Sequence, residues 1–434
     1  MGCQYDEPQD GCACTFTVQM PRLTFGRGCL AEVGARARLN GLSRVVVFTD
    51  DWLRQQALFA AAMTALADAG VEAEIYSNIR IEPCDQTVAD AAAFRKDTNV
   101  DGIISIGGGS VIDTAKAALL VATHGGPVNR YFAAPMGDGA PVPGPLPPHL
   151  ACPTTSGTGS ECTSVAVIRL LEYNTKFVIG SPHMMPVDAI VDPACTDSLP
   201  ANAVTSTGFD LLCHAAECYT AKAYTAHALI DDPGARQLLQ GANPWSELAA
   251  RRALEIAGAY LPRGVADHND HEARDQLMWG ATLAGMAFGN SGTHMPHAMS
   301  YGITHLMQDI TTRDYREASP FVPHGISVAV TAPAVFRYTA AGDPTRHMDV
   351  ASLLGADTSQ AAPDDAGEML AGRIIELMQS TGAPNGLAGV GFGEADATRL
   401  ADSSVRQGRA IANAPRVAEH GDLIDIYRDA VSYW

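Results

Sequence analysis

The sequence predicts an α/β nucleotide-binding domain with a parallel sheet over residues 1–202, followed by an all-helical domain over residues 203–434. Three observations carry this. Up to about residue 200, short β-branched runs alternate with amphipathic stretches, the pattern of strands linked by crossover helices. Past Ala201 the β-branched runs become rare and Ala/Leu-rich segments at helical spacing take over, with Pro200 breaking the chain between. The chain has 434 residues, 47 % of them hydrophobic, which is too long for one core and suits two or three domains of ~150 residues.

The elements follow in order. Ser43–Asp50 (SRVVVFTD) reads as a buried parallel strand, and residues 51–70 as the helix after it. Val71–Ser77 is the next strand, 86–98 the next helix, and DGIISIGGGS (101–110) a strand with its turn. Residues 141–153 are proline-rich and read largely as an exposed connection. His149–Glu161 overlaps its end as a short strand and turn, and 165–181 reads as a hairpin. In the second half, 245–261 and 273–288 are the clearest helices.

Composition excludes several classes of function. Forty-eight carboxylates against 29 Lys and Arg give a net charge of −19, which repels a phosphate backbone and argues against nucleic acid. No window approaches ~18 uninterrupted apolar residues, so no membrane-spanning helix is expected. Ten cysteines with no CxxC pair make neither a disulfide scaffold nor a zinc-finger pattern. Cys12-Ala13-Cys14 reads either as a metal or redox pair or as free thiols in a reducing compartment. The opening MGCQYDEPQD looks like neither a secretory signal nor an Arg-rich transit peptide, so the cytoplasm is the expected compartment.

Three motifs carry chemistry. GGGSVIDTAK (Gly107–Lys116) follows a strand and opens a helix, which suits either a phosphate cradle at a helix N-terminus or a tight structural turn. TTSGTGSE (Thr154–Glu161) repeats the arrangement after another strand. Two such turns at strand ends of one sheet point to a nucleotide. Asp50 also ends a strand, where a carboxylate suits either a ribose diol or a helix N-cap. The third motif is a donor set. Asp210 and His214 at i, i+4 share a helix face, His297 lies in HMPHAMS and His324 in VPHG. One carboxylate and three imidazoles can hold a divalent transition metal, although a lone histidine at any of these positions is more often a packed or surface residue.

Together these motifs, in this order, resemble the iron-containing (group III) alcohol dehydrogenase family, from about Phe25 to the C-terminus. The runs PHAMSYGI, VPHGISV and TAPAVFRYTA…RHMDVASLLGAD, Tyr301 where many members have His, and the long stretch from His297 to His324 resemble its hydroxyacid-oxoacid transhydrogenase branch. The resemblance implies metal-assisted hydride transfer through bound NAD. The implied reaction oxidises 4-hydroxybutyrate to succinic semialdehyde and reduces 2-oxoglutarate to D-2-hydroxyglutarate. It implies one divalent metal, iron or zinc, on Asp210, His214, His297 and His324. It places the cofactor on Asp50, Gly108, Gly109, Ser110, Asp113, Thr154, Thr155, Thr158 and Lys176, the last being one of only four lysines.

A dicarboxylate needs cationic partners. Arg313 and Arg316 fall in the long stretch and read either as substrate residues or as ordinary solvated surface charge. His294, three residues before His297, is expected to share its helix face and to be a third substrate-side, catalytic candidate. Tyr301 and His305 are the candidate proton relay. The expected partners are small hydroxy and oxo acids and further copies of the chain. The competing readings are a plain NAD-dependent dehydrogenase that releases NADH, and a non-catalytic nucleotide-binding scaffold.

Overall fold

The computed structural model describes residues 11–134, 136–306, 315 and 321–434. The first elements alternate strand and helix: β1 (Arg22–Phe25), α1 (Val33–Leu39), β2 (Arg44–Phe48), α2 (Ala57–Asp68), β3 (Glu72–Tyr76), α3 (Asp85–Asp97), β4 (Gly102–Gly107) and α4 (Gly109–His124). Then come β5 (His149–Pro153), β6 (Val165–Leu170), β7 (Thr175–Gly180) and β8 (Asp188–Val191).

Six strands form one parallel sheet in the order β1-β8-β5-β4-β2-β3, and β6–β7 is a separate antiparallel hairpin. β2 and β4 are continuous apolar runs because both faces of a parallel sheet are covered. Successive side chains point to opposite faces. Accordingly Val46, Phe48 and Ile103 enter one hydrophobic cluster, while Val45, Val47, Ile104 and Ile106 enter the other. β3 lies on one side of β2 and β4 on the other, so the strand order reverses there. The C-terminal ends of β2 and β4, Asp50 and the glycine turn, therefore flank the crevice where open α/β sheets take ligands.

The sequence missed β1 and β8. Each has four residues, too few to show a period. The expected helix over 51–70 is also interrupted. Asp50 Oδ1 accepts from Trp52 N at 3.0 Å and Leu53 N at 2.8 Å, which closes a 3₁₀ turn at Leu53–Gln55. Gln56 is then extended, and α2 begins at Ala57.

α5 (Ala201–Thr220) begins just after Pro200, whose missing N–H suits a helix start. α6 (Pro244–Ala266) opens on a capping box between Asn243 and Ser246. α7 (His271–Ser291), α8 (Met295–His305) and α9 (His324–Ala329) follow, and helices continue to Asp429. None among the described residues is long and apolar enough to cross a membrane.

Contacts divide the chain into residues 19–198 and a second unit of 199–434 joined by the described residues before Gln19. The expected division at 202/203 differs chiefly in that leading segment. Ala13 N donates to His227 O at 2.8 Å and Thr17 N to Gln240 Oε1 at 2.9 Å, which bonds it to the helical unit.

Candidate active site

In the α/β unit the glycine turn ends β4 and starts α4. Gly108 is the N-cap and offers no side chain to the helix start; Val111 N donates to Gly108 O at 3.0 Å, and the N–H groups of Gly109 and Ser110 before it are the ones that suit an anion. A Cβ on Gly108 would stand 3.1 Å from Thr155 Cγ2, and one on Gly109 2.6 Å from Thr158 Cγ2. The two sequence turns thus pack directly on each other, and glycine is needed here for close approach. Thr154 N donates to Gly107 O at 3.1 Å, a further link between them.

α4 also supports the second turn from its buried face. Lys116 Nζ donates to Ser160 O and Thr163 O at 2.6 Å, to Val165 O at 2.9 Å and to Thr163 Oγ1 at 3.1 Å. Burial lowers its pKa to about 8 against the pull of Asp113. Asp113 Oδ2 accepts from Val167 N at 2.9 Å, and burial raises its carboxyl pKa. This oxygen is used to hold β6. Asp50 Oδ1 bonds the N–H groups at the start of the 3₁₀ turn and does not cap α2, whose N-cap is Gln56. Lys176 is paired with Glu82 at 2.5 Å, and Glu82 N also donates to Ser110 Oγ at 3.3 Å.

In the helical unit α5, α8 and α9 bring together Asp210, His297 and His324, whose ligand atoms lie within 4.8 Å of one another. Asp210 Oδ1 is 3.4 Å from His297 Nε2 and 3.6 Å from His324 Nε2. His214 Nδ1 stands 3.6 Å from the same oxygen, outside the convergent trio, with its ring stacked on Phe288 and His297. α9 comes this close because Gly325 has no side chain. A Cβ there would sit 1.8 Å from Ser206 O on α5.

Asp210 Oδ1 and His297 Nε2 are buried and make no hydrogen bond. Converging carboxylate and imidazole atoms that can each offer a lone pair fit a shared cation. Burial alone would raise the Asp210 pKa, but His214, His324 and His297 together hold it well below the usual range. Burial also lowers His297, and Glu217 and Asp210 outweigh it, raising the ring to about 9.

Sequence reasoning missed Glu217. It is fully buried on α5, and its Oε1 lies 2.6 Å from His297 Nδ1. Its Oε2 accepts from His294 N at 2.7 Å. A carboxylate on Nδ1 keeps that nitrogen protonated, so a cation entering the cluster would displace the proton of Nε2 and take its lone pair. The available signal was spacing, since Asp210, His214 and Glu217 at i, i+4, i+7 share one helix face.

His294 is not a substrate residue. It is fully buried, caps α8 with Nδ1 accepting from Met295 N at 2.8 Å, and places Nε2 2.9 Å from Thr220 Oγ1. Burial lowers its pKa, so both ring nitrogens serve structure. Tyr301 stacks along His324 at 6.5 Å between centroids. His305 closes α8 and is half-buried. Arg313 and Arg316 lie outside the described residues. Cys12 is half-buried and Cys14 exposed, and neither joins a cluster of metal-binding side chains among the described residues.

Comparison with known proteins adds independent findings. Residues 21–193 match the family model "Iron-containing alcohol dehydrogenase", and 238–431 match "Fe-containing alcohol dehydrogenase family, C-terminal". Mitochondrial hydroxyacid-oxoacid transhydrogenase of Bos taurus is 37 % identical over 96 % of this chain and 90 % of its own. The probable counterpart of Dictyostelium discoideum is also 37 % identical, over 96 % and 79 %. Among solved structures, a 1,3-propanediol oxidoreductase has a TM-score of 0.83 at 30 % identity, covering 96 % of this chain and all of that one.

Proposed function

We infer the activity from one premise: this chain belongs to the iron-containing alcohol dehydrogenase family and is a metal-dependent oxidoreductase. We propose that it is a hydroxyacid-oxoacid transhydrogenase. The observation that carries this is 37 % identity across 96 % of the chain to relatives bearing that name. The proposed donor is 4-hydroxybutyrate, leaving as succinic semialdehyde, and the proposed acceptor is 2-oxoglutarate, leaving as D-2-hydroxyglutarate.

Asp210, His297 and His324, with His214 beside them, would hold a divalent metal, iron or zinc. When bound, the metal supplies a Lewis acid for the substrate oxygen and NAD supplies the hydride carrier. Glu217 fixes the tautomer of His297. His324 is the most exposed of the donors, with 29 % of its side chain open, so substrate oxygen would arrive on its side. Tyr301, along the His324 ring, is the proposed first proton carrier, and His305 on the same helix the second. In the α/β unit the N–H groups of Gly109 and Ser110 would take the pyrophosphate, with Thr154, Thr155 and Thr158 forming the opposing turn. Asp50 keeps an oxygen for the ribose diol, favouring NAD over its 2′-phosphorylated form.

A plain dehydrogenase is the second reading, favoured by the likeness to 1,3-propanediol oxidoreductase. The convergent donor cluster argues against a non-catalytic scaffold. The cytoplasm remains the proposed compartment. The free cysteines among the described residues fit any reducing compartment, the mitochondrial matrix included. A homo-oligomer, dimer or larger, is proposed.

The test is purified protein with 4-hydroxybutyrate and 2-oxoglutarate and no added NAD, read by mass spectrometry. Equimolar succinic semialdehyde and 2-hydroxyglutarate are expected. Turnover only with free NAD, with NADH accumulating, would establish the plain dehydrogenase instead.

A further inference from the structure

Glu82 holds a backbone conformation that its residue type avoids. Its φ is +59°, in the left-handed region where a side chain crowds its own backbone. The next residue is Pro83, which restricts its predecessor further. Among the described residues the only other non-glycine with positive φ is Asn174, a type that tolerates it. For a turn alone, glycine would serve with less strain.

Three contacts hold this segment. Arg169 N donates to Pro83 O at 2.8 Å. Glu82 N donates to Ser110 Oγ at 3.3 Å. The Glu82 carboxylate pairs with Lys176 Nζ at 2.5 Å, the two side chains being 10 % and 8 % exposed. One strained residue therefore joins the connection before α3, the first turn of α4 and the hairpin strand β7.

We propose that Glu82 is a positioning residue of the dinucleotide site: it keeps the Lys176 ammonium from the cofactor's pyrophosphate and so limits how tightly the cofactor is held. The proposal rests on the nucleotide reading of the glycine turn. The ammonium is tied through Glu82 to Ser110 in the first turn of α4, and a buried ammonium in that neighbourhood would attract an incoming pyrophosphate. The carboxylate competes for the same cation and leaves the pair neutral. The pyrophosphate then meets the α4 N–H groups and not an additional full charge. Such a brake sets whether the cofactor stays or exchanges, which is the distinction between the two enzymatic readings above.

The experiment is NADH titration by fluorescence on the full chain stripped of any co-purified nucleotide, comparing wild type with Glu82→Gln, Glu82→Gly and Glu82→Gln/Lys176→Met. Glu82→Gln should bind NADH at least about five-fold tighter, because the carboxylate no longer offsets the charge of the ammonium. Glu82→Gly relaxes the backbone and also removes the carboxylate, so it should tighten too. It decides the matter should Glu82→Gln fail to fold. The double variant should lose the gain. Unchanged or weaker binding in the two single variants would overturn the proposal while leaving the nucleotide reading intact. A wild type that binds no NADH would overturn that reading, and this proposal with it.

Discussion

Lys116 in the α/β unit and Asp210 in the helical unit are both charged and both buried, at 1 % and 2 % exposure, yet their surroundings are opposite. Lys116 meets three carbonyls and a hydroxyl at 2.6 to 3.1 Å. Its charge is satisfied by the chain itself. Asp210 Oδ1 meets three imidazoles at 3.4 to 3.6 Å and forms no hydrogen bond. A buried charge is expensive unless paired. A satisfied one marks a scaffold, and a convergent unsatisfied group marks a place for something the chain does not supply. Lys116 accordingly shapes the second nucleotide turn, while Asp210 and its histidines offer lone pairs to a cation.

Several substitutions test that contrast. The largest effect is expected at the unsatisfied cluster. His324→Ala should lower turnover about a thousand-fold, since Lewis-acid stabilisation is worth several kcal/mol. A variant that keeps most of its rate would break the contrast. Lys116→Met should leave the carbonyls of the second turn without a donor. Denaturant unfolding should then show a loss of roughly 3 kcal/mol at ~1 kcal/mol or more per orphaned group, with metal content unchanged. Glu217→Gln should weaken metal binding by about ten-fold in a chelator competition, at the lower end for a carboxylate behind a ligating histidine. A change in rate with no change in metal affinity would move Glu217 out of that role.

A last test concerns pH. Burial holds His149, 2.7 Å from Ser105 Oγ inside the sheet, at a pKa of about 3. Its unfolded value is 6.5, so below that pH the unfolded chain binds a proton the folded chain refuses. Stability should fall with falling pH by about 1.4 kcal/mol per unit down to a pH of about 3. His149→Gln should flatten that slope, and an unaltered slope would show that the ring titrates normally.

Much of this was legible in the sequence because it rests on period and spacing. β2 and β4 are apolar runs bounded by turn residues, and Asp210 and His214 lie one turn apart on α5. Position alone misled at His294. Its spacing from His297 suggested a shared helix face, but α8 starts at Met295, so His294 precedes the helix and caps it. Glu217 was on the right face but looks like any helical carboxylate until His297 arrives from another helix. The positive φ of Glu82 accompanies contacts to Ser110 and Lys176 that are distant in sequence, and no local pattern announces it. The four-residue strands β1 and β8 become strands only through their neighbours in the sheet.

The most direct measurement is metal content. The protein is stripped with a chelator, reloaded with iron(II) or zinc, desalted and analysed for metal per chain, alongside Lys116→Met and His297→Ala. The account predicts one metal per chain for wild type and Lys116→Met, and close to none for His297→Ala. Full turnover of the stripped wild type, or a His297→Ala variant that reloads to one metal per chain, would contradict it.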